Sequence, residues 1–323
     1  MTNFKKIGLT ALAGALASTT VNAGELSVSG NAIMEYQADT RNTTGTDNHT
    51  DGFVMNSTLT FSGSGELDNG MTVSMYQALA AGTVTSEGVT LDMGDMGKLS
   101  LDSYGYFTGI TSVADKIPTA GENVYDDTND ATGTDQIHDE PNVGVAKTGS
   151  DGRDVLGYAW SNDQVTFSLS ASQNANGPEN SAAITINAVE GLSIGGGIGT
   201  NMNDTTGREQ EEDDLSTMFA TYTYGPVSVG YQKTEIDTEA ANSDIETEHY
   251  GISFAVNENF AISYGEHNVE FDATSADQES SGISASYTAG SMSFVLVNNK
   301  KDNAEGTANA DDEMVELKMI MAF

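Results

Sequence analysis

The residues with the clearest chemical potential are carboxylates crowded into one polar stretch, residues 105–152. The stretch contains Asp115, Glu122, Asp126, Asp127, Asp130, Asp135, Asp139 and Glu140. Only Lys116 and Lys147 oppose them within it. Carboxylate oxygens bind hard cations such as Ca²⁺, and a cluster of them lowers the energy of any nearby cation. The stretch is therefore expected to attract cations.

Part of this stretch, "DTNDATGTDQIH" at residues 127–138, has the ligand types of a calcium loop without its spacing. Ala131 and Thr132 occupy the third ligand and glycine positions of the EF-hand pattern, and His138 replaces the closing glutamate. Two interpretations of the acids stay open, adventitious Ca²⁺ sites or simple solvation of an external loop. No motif requires a cofactor.

Catalytic patterns are missing from the sequence. The four histidines, His49, His138, His249 and His267, lack metal-ligand spacing. No serine has the flanking residues of a nucleophile elbow, which argues against a hydrolase built on His249 or His267. The run "GGGIG" at residues 195–199 has no helix after it to complete a phosphate site. The sequence therefore predicts that the protein is not an enzyme.

Residues 1–23 differ from the rest of the chain in the sign of their charge. Residues 1–23 resemble a secretory signal in layout: Lys5 and Lys6, the uncharged run "IGLTALAGALA", then "STTVNA" with a small residue, Ala23, at the cleavage position. The uncharged run is too short for a transmembrane helix. The remaining chain, residues 24–323, has 12 − 2 = 10 basic residues against 48 acidic ones, so its balance is 10 − 48 = −38. This charge excludes nucleic acid as a partner.

Alternation with period two runs through residues 24–323 and predicts strands. "VTFSLSA" places Val165, Phe167 and Leu169 on one face and Thr166 and Ser168 on the other. Successive segments are joined alternately by short connections with tight-turn residues and by long acidic connections. The segments are 24–37, 53–66, 70–82, 87–93, 98–104, 153–161, 164–173, 180–189, 191–200, 215–224, 227–236, 246–256, 259–271, 280–288, 291–299 and 313–323. We therefore expect about sixteen antiparallel strands, with both chain ends on the side of the short turns.

The aromatic residues favour a membrane barrel over a soluble β-sandwich. They cluster beside the short turns, as an aromatic girdle at a membrane interface does, with a thinner set of Phe53, Tyr250 and Phe271 on the loop side. Strands of nine to eleven residues suit a tilted bilayer crossing, and in lipid only a closed barrel pairs every backbone group. The turn-side set is Tyr158, Trp160, Tyr222, Tyr224, Tyr231, Phe260, Tyr287, Phe294 and Phe323.

The ending "VELKMIMAF" fits this interpretation, because its apolar parity alternates with Glu316 and Lys318 and it stops on Phe323. Together with "GELSVSGNAIMEY" after the leader and the hairpin "VTLDMGDMGKLSLDS" before the longest connection, it resembles the trimeric general-diffusion porins of Gram-negative outer membranes. The resemblance covers essentially all of residues 24–323 as pattern and layout. It implies an all-β transmembrane barrel of sixteen strands with a third loop folded inward.

The resemblance also implies roles for particular residues. The inward third loop would line a constriction with Asp115, Glu122, Asp126, Asp127, Asp130 and Asp135. The opposite wall would carry a basic cluster, for which Arg41, Lys98, Arg153 and Lys318 are the candidates. Phe323 would close the barrel and be read by the barrel-assembly machinery. The expected partners are outer-membrane lipid, lipopolysaccharide bridged to acidic loops by divalent ions, and two further copies of the chain in a homotrimer.

The predicted function is a passive, cation-preferring diffusion channel for small hydrophilic solutes in the Gram-negative outer membrane. Strand parity predicts a lumen face rich in Ser, Thr, Asn and Gln, where side chains such as Ser168, Ser263 and Ser284 would face hydrated solutes. An acidic ring in a narrow passage favours cations and disfavours anions. Two alternative functions fit the same barrel wall. One is a substrate-selective porin with a saturable constriction site, and the other is a non-conducting structural or adhesive barrel.

Overall fold

The structure, a computed structural model, describes residues 26–39, 52–80, 82–103, 108–124, 154–173, 178–203, 211–238, 243–274 and 276–323. These residues form sixteen strands and three single-turn 3₁₀ helices. The helices among them fall short of the length and hydropathy that a bilayer crossing needs. The strands are Ser27–Asp39 (β1), Gly52–Glu66 (β2), Thr72–Ala80 (β3), Thr83–Asp92 (β4), Lys98–Asp102 (β5), Val155–Ser161 (β6), Val165–Gln173 (β7), Pro178–Val189 (β8), Leu192–Asn203 (β9), Glu211–Tyr224 (β10), Val227–Asp237 (β11), Ile245–Asn257 (β12), Phe260–Phe271 (β13), Gln278–Ala289 (β14), Met292–Asp302 (β15) and Asp312–Ala322 (β16).

Each strand pairs antiparallel with its neighbours in sequence, and β1 pairs with β16 to close a barrel. The closing register runs from Asn31 opposite Ala322 to Asp39 opposite Met314. At the short-turn rim, Gly30 N donates to Phe323 O at 2.9 Å and Phe323 N donates to Gly30 O at 3.0 Å. The prediction of a closed antiparallel barrel of about sixteen strands is confirmed.

The strand boundaries differ from the predicted ones mainly on the loop side. The predicted strands ended at residue 200 and resumed at 215, but β9 continues to Asn203 and β10 begins at Glu211, where these two residues face each other in register. Similarly, β4 begins at Thr83, four residues before its predicted start. The reason is that backbone pairing needs no apolar side chain. The ladder therefore continues past the point where alternation of side-chain character ends.

The short turns have the chemistry that their length requires. Asn162 Oδ1 accepts hydrogen bonds from Gln164 N at 2.9 Å and Val165 N at 2.8 Å, which closes the turn between β6 and β7. Asn257 repeats this arrangement between β12 and β13. Gly225, between β10 and β11, has φ +56°, a conformation that favours glycine. These turns fix the register of each hairpin.

Alternate residues of each strand point to opposite faces of the barrel wall, one outward and one inward. Val229 and Ile252 face each other on β11 and β12 with 41% and 45% of their surface exposed, as outward side chains must be. On the opposite parity, Gln232 of β11 and Ser284 of β14 are buried at 1% and 3% exposure inside the barrel. The wall therefore presents its apolar parity outward and much of its polar parity inward.

Three tyrosines mark the loop-side border of the outward apolar surface. Tyr231 and Tyr250 lie with ring centroids 5.0 Å apart. Tyr231 donates to Glu248 Oε1 at 2.8 Å, and Tyr264 donates to Glu266 Oε1 at 2.7 Å. Aromatic rings at the border of the apolar surface, with carboxylates beyond them on the loop side, are typical of a membrane interface. The interpretation of Tyr231 as part of the turn-side girdle is therefore wrong, because four residues of β11 separate Tyr231 from the turn end of the strand.

Phe271 also differs from its expected place. It packs against a buried cluster on the inner face rather than at the loop-side interface. The reason is parity: Val269 is buried inside the barrel, and Phe271 lies two residues farther along the same strand.

The outward assignment of Val229 and the inward assignment of its neighbour generate a matched test. Val229→Arg places a charge on the lipid face and should destabilise the folded barrel by about 2–4 kcal/mol if it lies near the midplane. Ser228→Arg places the same charge on the inner face and should leave insertion near the unsubstituted level. Folding yield into lipid vesicles, scored by heat-modifiable gel mobility, measures both, and equal yields would contradict the facing assignment.

Candidate functional site

The candidate site is built around residues 108–124, the described part of the long connection between β5 and β6, here called the inner segment. It enters beside β7 and β8, where Gly109 N donates to Ser168 Oγ and Ile110 N donates to Ser181 Oγ, both at 2.8 Å. Gly109 has φ +62°, and an added Cβ would collide with the side chains of Ser170 and Ser181. Two wall serines thus receive the backbone of the entering chain.

Gln232 of β11 holds the middle of the inner segment. Its Oε1 accepts from Lys116 N at 2.9 Å, while its Nε2 donates to Val113 O and Ala114 O, each at 2.8 Å. A further contact of Nε2 with Thr217 Oγ1 at 3.0 Å ties the amide to β10. One buried side chain therefore satisfies three backbone groups of the segment, which a charged or apolar residue could not do.

A row of glycines on the inner wall leaves space for the inner segment. Gly230, Gly251, Gly265 and Gly282 are paired in register across β11, β12, β13 and β14. A Cβ added to Gly230 would lie 2.6 Å from Pro118 Cδ, and one on Gly265 would lie 2.9 Å from Val124 Cγ1. A larger side chain at Gly230, Gly251 or Gly265 would push the segment off the wall.

The far end of the segment is attached to the next three strands. Ala120 N donates to Ser263 Oγ at 2.8 Å, and Glu122 N donates to Ser284 Oγ at 3.2 Å. Asn299 Nδ2 of β15 then donates to Asn123 O at 3.0 Å. The described contacts therefore carry the segment across the inner wall from β7 to β15 in chain order, rather than leaving it in the middle of the lumen.

Lys318 of β16 is surrounded by three carboxylates. Its ammonium contacts Glu122 of the inner segment, lies 2.8 Å from Glu316 Oε1, and lies 4.0 Å from Glu35 Oε2 of β1. The Lys318 side chain is 13% exposed and that of Glu35 is 8% exposed, so water screens these charges less than it would at the surface. The group joins the segment to the closing seam, and its described members have two more carboxylates than a neutral pair would need.

Asp115 and Lys116 are the ionisable pair of the segment itself. Asp115 accepts from Ile117 N at 3.1 Å and from Asn123 Nδ2 at 2.7 Å, and so braces the segment against itself. Burial lowers the pKa of Lys116 from its ordinary value of 10.5, and the neighbouring Asp115 carboxylate opposes that shift. Lys116 therefore loses its proton at a lower pH than a lysine in water does.

The inner wall above the segment is not hydroxyl-rich throughout, contrary to expectation. Ile110 and Val113 pack into a buried cluster with inward apolar side chains, including Phe219 of β10 and Val269 of β13. The segment brings its own apolar residues inside, and burying them against wall side chains removes both from water. Ser168, Ser263 and Ser284, which were expected to face solutes, instead bind the backbone of the segment.

The open side of the lumen lies along the first strands. Inward side chains of β2, such as Asn56, Thr58 and Thr60, stay partly exposed, whereas those of β11 to β15 are largely buried. The inward cations among the described residues are Lys98, Lys116, Lys301 and Lys318. The inward carboxylates among them are Glu35, Glu66, Asp92, Asp102, Asp115, Glu122, Glu179, Asp213, Asp312 and Glu316. The described interior is therefore strongly acidic.

The structure brings only two of the predicted constriction and wall residues together, Glu122 and Lys318. Asp115 lies on the same inner segment, and Lys98 lies at the turn end of β5, where its Nζ is 3.1 Å from Asp92 Oδ2. The other candidates lie outside the described residues: Arg41, Asp126, Asp127, Asp130, Asp135 and Arg153. Among the described residues of β1 to β5, Lys98 is the only basic side chain.

The two described histidines form a pair within the inner wall. The rings of His249 and His267 lie 5.5 Å apart at an interplanar angle of 83°. No group of three or more His, Asp or Glu residues in the described part of the chain could hold a metal ion. The prediction of Ca²⁺ sites concerns acids that mostly lie outside that part, and it stays a prediction.

Sequence reasoning missed the anchoring roles of Gln232, Glu35 and Glu316. The alternation along each strand places all three side chains on its polar face, so the sequence did indicate that they point into the barrel. Their partners are set by register and by the route of the inner segment. Lys318 and Glu122, for example, are separated by 196 positions in the sequence.

Comparisons with known proteins agree with this geometry. The family profile of Gram-negative porins matches residues 8–313. No curated protein sequence matches the chain significantly. An anion-selective porin from Comamonas acidovorans is 12% identical and has a TM-score of 0.68, with 93% of this chain and 100% of that chain covered.

Two further solved structures share the fold. OmpT of Vibrio cholerae, in a trimer form, is 12% identical with a TM-score of 0.63, covering 93% of this chain and 100% of its own. Salmonella typhi OmpF in complex with daunomycin is 11% identical with a TM-score of 0.64, covering 94% of this chain and 98% of its own. At these identities the likeness establishes the fold.

The anchoring role of Gln232 predicts a specific defect. Gln232→Leu leaves two carbonyl groups and one amide of the inner segment without their partner, and each buried unsatisfied group costs about 1–3 kcal/mol. We expect the segment to loosen, seen as faster hydrogen exchange at residues 113–116 and noisier single-channel current. Ser228→Ala, on the same face of the same strand, is the control. Unchanged exchange in Gln232→Leu would contradict the anchoring role.

Proposed function

Because this chain belongs to the Gram-negative porin family, we propose that it is a passive, cation-preferring diffusion channel for small hydrophilic solutes across the outer membrane. The channel assignment rests on the family and on the closed barrel. The cation preference rests on one observation, the cluster of Glu122, Glu316 and Glu35 around the single ammonium of Lys318. Porins are channels, so we propose no chemical turnover.

The fold by itself does not decide the sign of selectivity, because the same fold occurs in an anion-selective porin. The charge on the inner surface must decide it. A unit charge in a passage of reduced dielectric acts more strongly than in bulk water. Carboxylates in excess over ammonium groups therefore lower the energy of a passing cation and raise that of an anion.

The position of Lys318 strengthens this argument. A basic cluster on the wall opposite the acidic loop would give a transverse field, but Lys318 contacts the loop carboxylate directly. Its positive charge is balanced by the carboxylates beside it, and the described members of the group are three carboxylates against this one ammonium. On the open side, β1 to β4 have no basic side chain among their described residues. Net charge, rather than a transverse field, is proposed to set the selectivity.

A substrate-selective porin is the second candidate, and one observation favours it. The inner segment and its apolar cluster occupy the inner wall along β8 to β13, which restricts the passage to the side of the first strands. A restricted passage can hold a solute long enough for flux to saturate. Saturable flux of one solute class in liposome swelling would favour this candidate, and flux linear in concentration would favour the general channel.

Several further proposals concern assembly and partners. A homotrimer is supported by the shared fold with the trimer form of the Vibrio cholerae protein. Removal of residues 1–23 as a signal peptide, recognition of Phe323 by the barrel-assembly machinery, and Ca²⁺ bridges between acidic loops and lipopolysaccharide stay predictions from the sequence. Each follows from residue pattern: the leader layout, the alternating last strand, and the carboxylate-rich loops.

Selectivity can be tested by planar-bilayer recording in a KCl gradient. We expect a reversal potential of the sign that marks K⁺ preference. Glu122→Gln should move the reversal potential toward zero, because it removes one carboxylate charge from the Lys318 group. Lys318→Met should move it the other way, because it removes a positive charge from the same group.

The control for this test is Glu266→Gln, which removes the same charge from the outer face of β13 and keeps a partner for the Tyr264 hydroxyl. It should leave the reversal potential unchanged. A chloride-preferring reversal potential in the unsubstituted protein would overturn the cation preference. Absence of current steps would overturn the channel and favour a structural barrel.

The lowered pKa of Lys116 predicts a pH dependence. As pH rises through that lowered value, Lys116 loses its proton, so the interior becomes more negative and K⁺ preference should increase. The folded barrel should also gain stability over the same range, because burying the charged form is unfavourable. Lys116→Met should show the higher preference already at neutral pH and no further change, and Lys300→Met, on the outer face, should behave like the unsubstituted protein.

A further inference from the structure

Two ionisable side chains of the inner wall have no part in the channel mechanism proposed above, His249 of β12 and His267 of β13. They face each other in register, with their rings 5.5 Å apart at an interplanar angle of 83°. Both are almost completely buried, at 1% and 0% exposure. Imidazole gains its proton in water at a pH of about 6.5. The pair can therefore become charged when the medium turns acidic.

The inner segment lies against this pair on the lumen side. A Cβ added to Gly265 would lie 2.9 Å from Val124 Cγ1 and 3.8 Å from His249 Nε2, so the valine and the imidazole approach the same point of the wall. The gap between segment and wall at this place has a volume of about 10 Å³, and its lining includes Asn123, Val124 and His249. Such a gap has room for a single water molecule at most. A charged imidazole therefore cannot be hydrated while the segment stays in place.

Positive charge faces His267 from two sides. Lys301 of β15, itself at 0% exposure, acts on His267 electrostatically, and a proton on His249 would do the same. Along the register of the wall, Ser280 lies between His267 and Lys301, and Asp312 of β16 lies beyond Lys301. The first charge that His267 meets along this row is therefore that of an ammonium group and not that of a carboxylate.

One carboxylate acts on the pair in the opposite sense. Asp115 of the inner segment attracts a positive charge on His249. Its neighbour Lys116 has the opposite charge, and Gln232, in register with His249 on β11, has none. A first proton, on His249, is therefore partly balanced in place. A second proton, on His267, is repelled by Lys301 and by the first proton.

We propose that His249 and His267 form an acid-sensitive switch, in which protonation of both rings releases residues 115–124 of the inner segment from the wall and narrows the passage. In the released state water reaches the two rings, so their charges are hydrated and repel each other less. Because the released state binds more protons, acid favours it. The segment lies between the wall and the lumen, so release moves it toward the passage. This inference rests on the channel proposed above.

Single-channel recording as a function of pH tests the switch. From about pH 8 to about pH 5, the range in which free imidazole gains its charge, the share of time at reduced conductance should grow. Two protons taken up only on release would raise the ratio of time at reduced conductance to time at full conductance by up to about a hundredfold per pH unit, and one proton by up to about tenfold. His267→Gln should therefore show the shallower dependence. His249→Gln combined with His267→Gln should keep full conductance throughout.

The other two histidines provide matched controls, because His49→Gln and His138→Gln each remove an imidazole from elsewhere in the chain. Both should keep the full acid response, with folding of every variant checked by heat-modifiable gel mobility. An acid response that persists in the double variant would assign it to carboxylates and overturn the switch. An acid response that disappears in either control would also overturn it.

Hydrogen exchange of the unsubstituted protein tests the release without any variant. The protection factors at residues 115–124, which allow for the chemical pH dependence of exchange, should fall between about pH 8 and about pH 5. Unchanged protection would overturn the switch. Absence of current steps at every pH would overturn the proposed channel instead, and the exchange measurement separates that failure from failure of the switch.

Discussion

The constraint on which this structure depends is that no backbone polar group in the bilayer core can bond to water. Pairing β16 with β1 removes the last free strand edges, and every other strand then has two neighbours. Closure leaves one parity facing hydrocarbon, so that parity must be apolar. The residues of the other parity face the interior, so their side chains can be polar, small or charged. The residues of the candidate site are among them.

The inner segment faces the same constraint in a milder form, because its backbone also lies inside the barrel and away from bulk water. The wall satisfies it with short hydroxyl and amide side chains, among them Ser168, Ser263, Gln232 and Asn299. Residues that looked like solute contacts are therefore structural, and they fix where the passage can run. The register-paired glycines serve the same end by leaving room for Ile117, Pro118 and Val124.

The fold was predictable from the sequence because its signals are local. Period-two alternation, turn residues and aromatic position are each read within ten residues or so, and the strand count followed from them. The site was less predictable because it depends on register. Gly251 looks like any strand glycine until it is placed opposite Gly230 and Gly265. Glu35 and Lys318 share a site only because the first and last strands meet.

The same dependence on register explains why Lys318 lies beside a loop carboxylate and not on the wall opposite it, as the family resemblance implied. A basic residue on the last strand was expected to oppose the loop carboxylates across the lumen, yet the far end of the inner segment reaches the closing seam and meets Lys318 there. A lysine that neutralises part of a carboxylate group cannot also form one pole of a transverse field. In the proposed channel, the carboxylates of this group outnumber its one described ammonium, so the group would act on a passing solute through its net charge.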